Sequence, residues 1–235
     1  FNLYYTPNNA SLVIGGDIDF DTTAKLVEKY FGEIQSGSIV PEINVPPTEL
    51  KETIKIVHKD DVQLPRIYLA WHSAKYIDSD DAPLDVLADI LCGTKNSRLQ
   101  NSLVFEKQIA QDVVAFQYSG NLAGLFIVVA TPKPGVEIGE LKDAIFTELN
   151  SVSKDGITQG ELDLSKNSTK SSFIYSLQNL EYLVNQINNY NYYIGEPNSF
   201  FKDLERTENV TVDDVKHTAV KYLSMPYLEL NIIPK

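Results

Sequence analysis

The sequence predicts an α+β fold, an antiparallel sheet with helices packed on one face. Three observations predict it. Runs of strand length come in pairs, Glu52 to Val57 with Arg66 to Trp71 and Gln111 to Tyr118 with Leu125 to Thr131. From residue 50 the order is strand, strand, helix, helix, strand, strand, several helices, strand. Single crossover helices do not join successive strands, so the alternation of a doubly wound parallel sheet is absent.

Each element has a local cause. Leu12 to Ile14 is a short apolar strand closed by Gly15-Gly16-Asp17. Asp19 or Asp21 caps a helix in which Phe20, Ala24, Val27 and Phe31 recur at helical spacing, with Gly32 at its stop. Residues 35–49 carry Ser-Gly-Ser and the prolines Pro41, Pro46 and Pro47 without periodicity, the mark of an extended linker. Asp81-Ala82-Pro83 opens a helix with proline in its first turn, and Leu84, Leu87, Ala88 and Leu91 form its apolar stripe. Cys92-Gly93-Thr94-Lys95-Asn96 breaks it, and Ser97 to Glu106 makes another helix. Ser119-Gly120-Asn121 starts the turn between the second pair of strands. Helices follow over Glu137 to Val152, Thr158 to about Tyr193, Asn198 to Glu205 and Thr211 to Leu223. Thr158-Gln159-Gly160-Glu161 and Thr211-Val212-Asp213-Asp214 have the spacing of capping boxes.

The two ends of the chain repeat one pattern. A tyrosine-rich stretch, a proline turn and an apolar strand occur over Phe1 to Ile14 and again over Lys221 to Ile233. The second copy has a helix before it and the first does not, so a fold unit is expected twice in the parent protein. Domain expectations follow: residues 1–34 as the strand-and-helix tail of a preceding domain, 35–49 as linker, and 50–235 as a complete second domain.

Composition narrows the function. The 235 residues are 43% hydrophobic and 22% charged, enough to bury a core, with a net charge of −12. Acids spread along the chain argue against a nucleic-acid partner, which needs a basic face. No apolar run has the length of a membrane span. This is compatible with a secreted, periplasmic or cytosolic protein. The single Cys92 excludes a disulfide framework and a multi-cysteine metal site, and its neighbours Ile90 and Leu91 mark it as a small buried hydrophobe.

The chain carries no self-contained catalytic motif. His58, His72 and His217 stand apart, without the second ligand three or four residues away that puts two donors on one helical face. Gly15-Gly16-Asp17 lacks the later glycine and lysine of a phosphate loop, and no Gly-x-Ser-x-Gly elbow occurs. The acidic runs Asp60-Asp61 and Asp78-Ser79-Asp80-Asp81 do not have the EF-hand spacing and read as solvated loops and a helix start. Asn185 to Tyr193 reads as an amphipathic helix with Leu183, Ile187 and Tyr190 inward.

Four segments, in order and covering nearly the whole chain, resemble the pitrilysin/insulinase-type zinc metallopeptidases, the family of the mitochondrial processing peptidases. They are Tyr4 to Asp17 followed by Lys29-Tyr30-Phe31-Gly32-Glu33-Ile34; Ile90-Leu91-Cys92-Gly93 with Ser97-Arg98-Leu99; Asp155 to Leu162; and Val210 to Val215 with Lys221-Tyr222-Leu223. The resemblance implies an insulinase-type α+β domain, repeated within each half of a two-halved chamber. It also implies Zn²⁺ in the parent, held by an H-x-x-E-H motif that this chain lacks. On that basis no catalytic and no metal-binding residue is expected here, and no cofactor. The rest of the parent chain or a second peptidase half and a peptide substrate are the expected partners, with no nucleic acid and no membrane.

In family members whose second half completes the site, an Arg and a Tyr follow the Ser-Arg-Leu segment. The corresponding places here hold Phe105 and Gln111. Phe donates no hydrogen bond and Gln is a weak substitute, so oxyanion donors are not expected from this domain. Arg98, Phe105 and Gln111 are the candidate substrate-binding residues, Arg98 having a helix-capping or ion-pair role as its alternative. For the whole, the readings are a chamber domain of a zinc metalloendopeptidase acting on peptides or unfolded segments, or a non-catalytic scaffold subunit of the same fold.

Overall fold

A computed structural model describes residues 1–41, 45 and 48–235; the linker prolines Pro46 and Pro47 lie outside the described residues. The chain divides into two compact units, Phe1–Pro46 with Lys170–Leu204, and Pro47–Thr169 with Glu205–Lys235.

The larger unit is built on a five-stranded sheet. Its strands are β1 (Ile54–Asp60), β2 (Arg66–Ser73), β3 (Ala110–Ser119), β4 (Gly124–Pro132) and β5 (Leu228–Pro234), in the order β1-β5-β2-β4-β3. Three pairings are antiparallel, as the sequence leads one to expect. The fourth is not: β1 and β5 run parallel, Ile54 opposite Leu228 through Asp60 opposite Pro234. The intervening helices give the chain the long crossover that a parallel neighbour needs.

The helices that accompany this sheet are α2 (Asp81–Cys92), α3 (Ile138–Asp155), the first part of α4 (Gln159–Ser176), the end of α6 (Phe200–Glu208) and α7 (Val212–Leu223). Alternation along the strands points Ile67, Leu69 and Trp71 of β2 and Phe126, Val128 and Ala130 of β4 to one side. There they join Leu84, Leu87 and Leu91 of α2, Leu141, Ile145 and Leu149 of α3, and Val215 and Ala219 of α7 in one core. Both predicted capping boxes form. Thr211 and Asp214 exchange side-chain and backbone bonds at the start of α7. The Thr158 and Glu161 side chains do the same at α4.

Glu229 of β5 is a charge in this core. It is buried, and it accepts from Lys142 at 3.0 Å, Lys55 at 3.0 Å and the Asn231 amide at 2.7 Å. Burial raises its pKa, and these bonds outweigh burial, so the carboxyl is held below its ordinary value.

The segment after α2 departs from a regular α-helix. Gln100–Glu106 winds as a π-helix, a conformation that interrupts ordinary helices at functional places. The long predicted helix from Thr158 is two helices, because the Asn179 side chain accepts from the Tyr182 amide at 2.9 Å and caps a new start.

In the smaller unit, α1 (Phe20–Phe31) starts at Asp19, whose carboxylate accepts from the Thr22 amide at 2.9 Å. The unit also holds α5 (Leu180–Ile194) and the adjoining parts of α4 and α6. Tyr190 is buried edge-on to Phe200 and donates to Asp203 at 2.7 Å, in accord with the inward face read for α5. Leu12 to Ile14 forms no strand, because among the described residues no other strand lies beside it to complete a ladder. It runs along α5 instead. Ser11 hydrogen bonds to Asn188, and a Cβ at Gly15 would lie 2.5 Å from Val184. None of the residues of α1 is buried, although Phe20, Val27 and Phe31 form an apolar stripe.

Candidate functional site

The sheet has one face packed on helices and one open. Register puts Val114, Phe116 and Tyr118 of β3 beside Val129, Ile127 and Leu125 of β4. Tyr68 and Ala70 of β2, Leu230 and Leu228 of β5, and Ile56 and Ile54 of β1 continue the same face. These positions make the face largely apolar, with His58 and His72 on it as well, and at β3 it is in contact with solvent: Phe116 is 41% and Tyr118 64% exposed. An exposed apolar surface rimmed by polar side chains is the usual sign of a binding surface.

β3 is also an edge strand, with β4 on one side and, among the described residues, no strand on the other, so its outer backbone groups can take another strand. Two of the three candidate residues lie at its start. Phe105 is in the last turn of the π-helix, 48% exposed, and Gln111 is exposed at the irregularity in the β3–β4 register between Ala110 and Asp112. Between them Gln108 has a left-handed backbone, φ 54°, uncommon outside glycine. The open-face residues of β3 were not among the candidates, although the alternation Val114, Phe116, Tyr118 is visible in the sequence.

The structure places Arg98 elsewhere. Its Nε donates to Glu161 at 2.6 Å, and one terminal nitrogen donates to Glu161 at 2.9 Å and to the Gly156 carbonyl at 3.1 Å. The guanidinium ties the Ser-Arg-Leu segment to the start of α4, the ion-pair role weighed for it. The Arg98 hydrogen bonds lower the Glu161 pKa to about 2, with the Thr158 bonds adding to the effect against burial. A carboxyl depressed in the folded state stabilises above its unfolded value and loses that contribution as pH falls through the folded one. Arg98→Met is therefore expected to cost about 2 kcal/mol at neutral pH, between the values for exposed and buried pairs. Urea unfolding of the two proteins should show a constant difference above about pH 5 that shrinks between pH 4.5 and 2. A difference that does not change over that window would rule out the pair as its cause.

Asp80 and Asp81 are engaged as well. Asp81 is buried and accepts from Arg206 at 2.7 Å, from the Ile77 amide at 3.0 Å and from Ser119. Asp80 accepts from Lys221 and Tyr222. The acidic run at 78–81 is thus a structural hub, with two of its carboxylates committed to α6 and α7. Burial pushes the Cys92 thiol up to about 12, against the lowering effect of the Ala115 backbone bond, which makes it a poor nucleophile.

The histidines do not make a metal centre. His58 lies on β1 opposite Ile232, His72 on β2 opposite Leu125 and His217 on α7. Among the described residues no three His, Cys, Asp or Glu side chains converge as metal ligands. The donors of the described residues do not fit a zinc ion. Among the described residues no helix is long and apolar enough to cross a membrane.

A mixed five-stranded sheet with helices packed on one face is a two-layer α+β domain. The chain matches the peptidase M16 inactive domain over residues 1–169 and belongs to that family. It is 30% identical over 183 residues to the zinc protease PqqE of Helicobacter pylori, a match that covers 75% of this chain and 40% of that protein. The β subunit of the mitochondrial-processing peptidase of Blastocladiella emersonii is 22% identical, over 93% of this chain and 48% of that one. In fold, the chain is similar to the crystal structure of a protease from Helicobacter pylori, with a TM-score of 0.90 at 24% identity, covering 99% of this chain and 57% of that one. The chain spans about half the length, or less, of the curated relatives it matches.

Proposed function

We propose that this chain is the non-catalytic substrate-chamber domain of a zinc metalloendopeptidase that cleaves peptides or unfolded segments. The observation that carries this reading is the open apolar face of the sheet ending in the free edge of β3. An extended peptide adds to β3 by backbone hydrogen bonds, and alternate side chains rest on Phe116 and Tyr118. Phe105 and Gln111 meet the peptide where β3 begins, and Arg98 acts one step back by fixing the helix pair that carries Phe105. Zinc, and the water it would activate, belong by the family resemblance to the preceding, first domain of the parent.

The domain boundaries read from the sequence are part of the same proposal, although Lys170–Leu204 clusters with Phe1–Pro46 and not with the sheet. Residues 1–34 are the tail of a preceding domain, 35–49 the linker, and 50–235 the second domain. Leu12 to Ile14 and the apolar stripe of α1 then complete a sheet and core supplied by that preceding domain.

Two measurements test the proposal on the full chain. An unfolded peptide with alternating apolar residues should bind, and Phe116→Lys with Tyr118→Lys should weaken binding about tenfold or more, given that each ring contributes on the order of 1 kcal/mol. A quenched peptide should show no turnover. Binding untouched by the substitutions, or turnover that a chelator abolishes, would overturn the assignment.

A further inference from the structure

We infer that the Gln100 and Cys92 side chains cap the first half of the β3 edge, so that an incoming strand seats first on Phe116 to Ser119 and must expel Gln100 to run further. The inference rests on the peptide reading above and says where on the edge, and against what, that peptide binds.

The cap consists of side chains that stand where a neighbouring strand would. The Gln100 carboxamide donates to the Val113 carbonyl at 2.6 Å. The Ala115 amide donates to the Cys92 sulfur. An amide has one hydrogen, so that of Ala115 is not spent on β4 and points away from it. In an antiparallel ladder the N–H and C=O of one residue face the same way, and residues two apart repeat that direction. Val113, Ala115, Gln117 and Ser119 therefore present the outward groups of β3, and the first two are occupied.

The second half is open. Beyond the ladder, Gln117 and Ser119 bond through their side chains, with Ser73, the Ala74 carbonyl and Asp81. Among the described residues no side chain takes their backbone groups. This half also carries the exposed rings of Phe116 and Tyr118.

The two edges of the sheet are guarded by different means. β1 carries Lys55, Lys59 and Asp60, the charges that keep an edge from pairing with another chain. β3 has Asp112 as its one charged residue, so its protection falls to the caps. Both caps are held in place by the core, Cys92 beside Leu91 at the end of α2 and Gln100 beside Leu99 at the start of the π-helix. A single neutral hydrogen bond holds Gln100 against the strand, which makes it displaceable by a peptide N–H.

Amide exchange of the full chain, with no peptide present, tests the cap. Ala115 should exchange at least about tenfold more slowly than Gln117 and lose that protection in Cys92→Ala. Equal rates at Ala115 and Gln117 would overturn the cap, whatever any peptide does. Binding of an extended peptide with alternating apolar residues tests the displacement. Gln100→Met keeps the length of the side chain but has no hydrogen to give, and should bind a long peptide roughly three- to tenfold tighter than the unsubstituted chain. Gln100→Lys restores a donor and should bring the affinity back. A short peptide that spans only Phe116 to Ser119 should bind all three alike. Equal affinity of Gln100→Met and the unsubstituted chain for the long peptide would overturn the displacement. Binding that Phe116→Lys with Tyr118→Lys leaves untouched would instead overturn the peptide reading, and the exchange rates would still decide the cap.

Discussion

Arg206→Ala should lower the unfolding midpoint of the chain by roughly 10 °C, the consequence of removing one partner of a buried ion pair at about 3–5 kcal/mol. Asp81 is 1% exposed, and Arg206 donates to it at 2.7 Å while stacking over Tyr76 at 5.8 Å. Without the guanidinium, the carboxylate keeps only neutral donors, the Ile77 amide and Ser119. Ile77 itself has φ 65°, which costs a β-branched residue on the order of 1–2 kcal/mol and is held by that same amide bond. The arginine therefore supports both a charge and a strained backbone. Replacing both residues, Asp81→Ala with Arg206→Ala, should recover part of the loss, because no unpaired charge is left behind. A midpoint within a degree or two of the parent for Arg206→Ala would show that the pair contributes nothing.

Trp71→Ala should cost about 3–5 kcal/mol, the range for truncating a fully buried aromatic. The indole packs with Phe126 at 6.5 Å, Phe146 at 6.1 Å and Tyr227 at 5.2 Å between ring centroids. Trp71→Phe separates ring packing from the polar atom. The indole N–H has no hydrogen-bond partner in this cluster, so phenylalanine gives up no hydrogen bond and should cost about 1–2 kcal/mol. A Trp71→Phe loss equal to that of Trp71→Ala would mean that the N–H has a partner after all. Unfolding is best followed by circular dichroism, because Trp71 is the one tryptophan of the chain.

What could be read from the sequence was what neighbours along the chain decide. Asp19 before an apolar helical stripe, and Thr158 and Thr211 three residues before an acid, act within one turn, and all three caps formed. The break at Asn179 is equally local and was hidden by the unbroken apolar periodicity on both sides of it. Pairings across the chain were not legible. Nothing near Arg98 marks Glu161 as its partner, nor does anything near Asp81 mark Arg206. The parallel register of β1 with β5 depends on a crossover whose geometry no local pattern encodes. The site was half legible for the same reason. Phe105 and Gln111 were suggested by the family resemblance alone, and an uncovered sheet face exists only once five strands are ordered.

That strand order also has a consequence for how the domain is made. β5 lies between β1 and β2, although it follows both by the whole of the intervening sequence. During synthesis β1 and β2 emerge without the strand that belongs between them, and they can wait apart or pair with each other in a hairpin that must later open. The core of the domain is therefore sealed by β5, the last of its strands to be made, and folding waits for that strand rather than following the order of translation. A ribosome-bound chain that ends before Leu228 should remain protease-sensitive from β1 to α2, and become resistant only when β5 clears the exit tunnel.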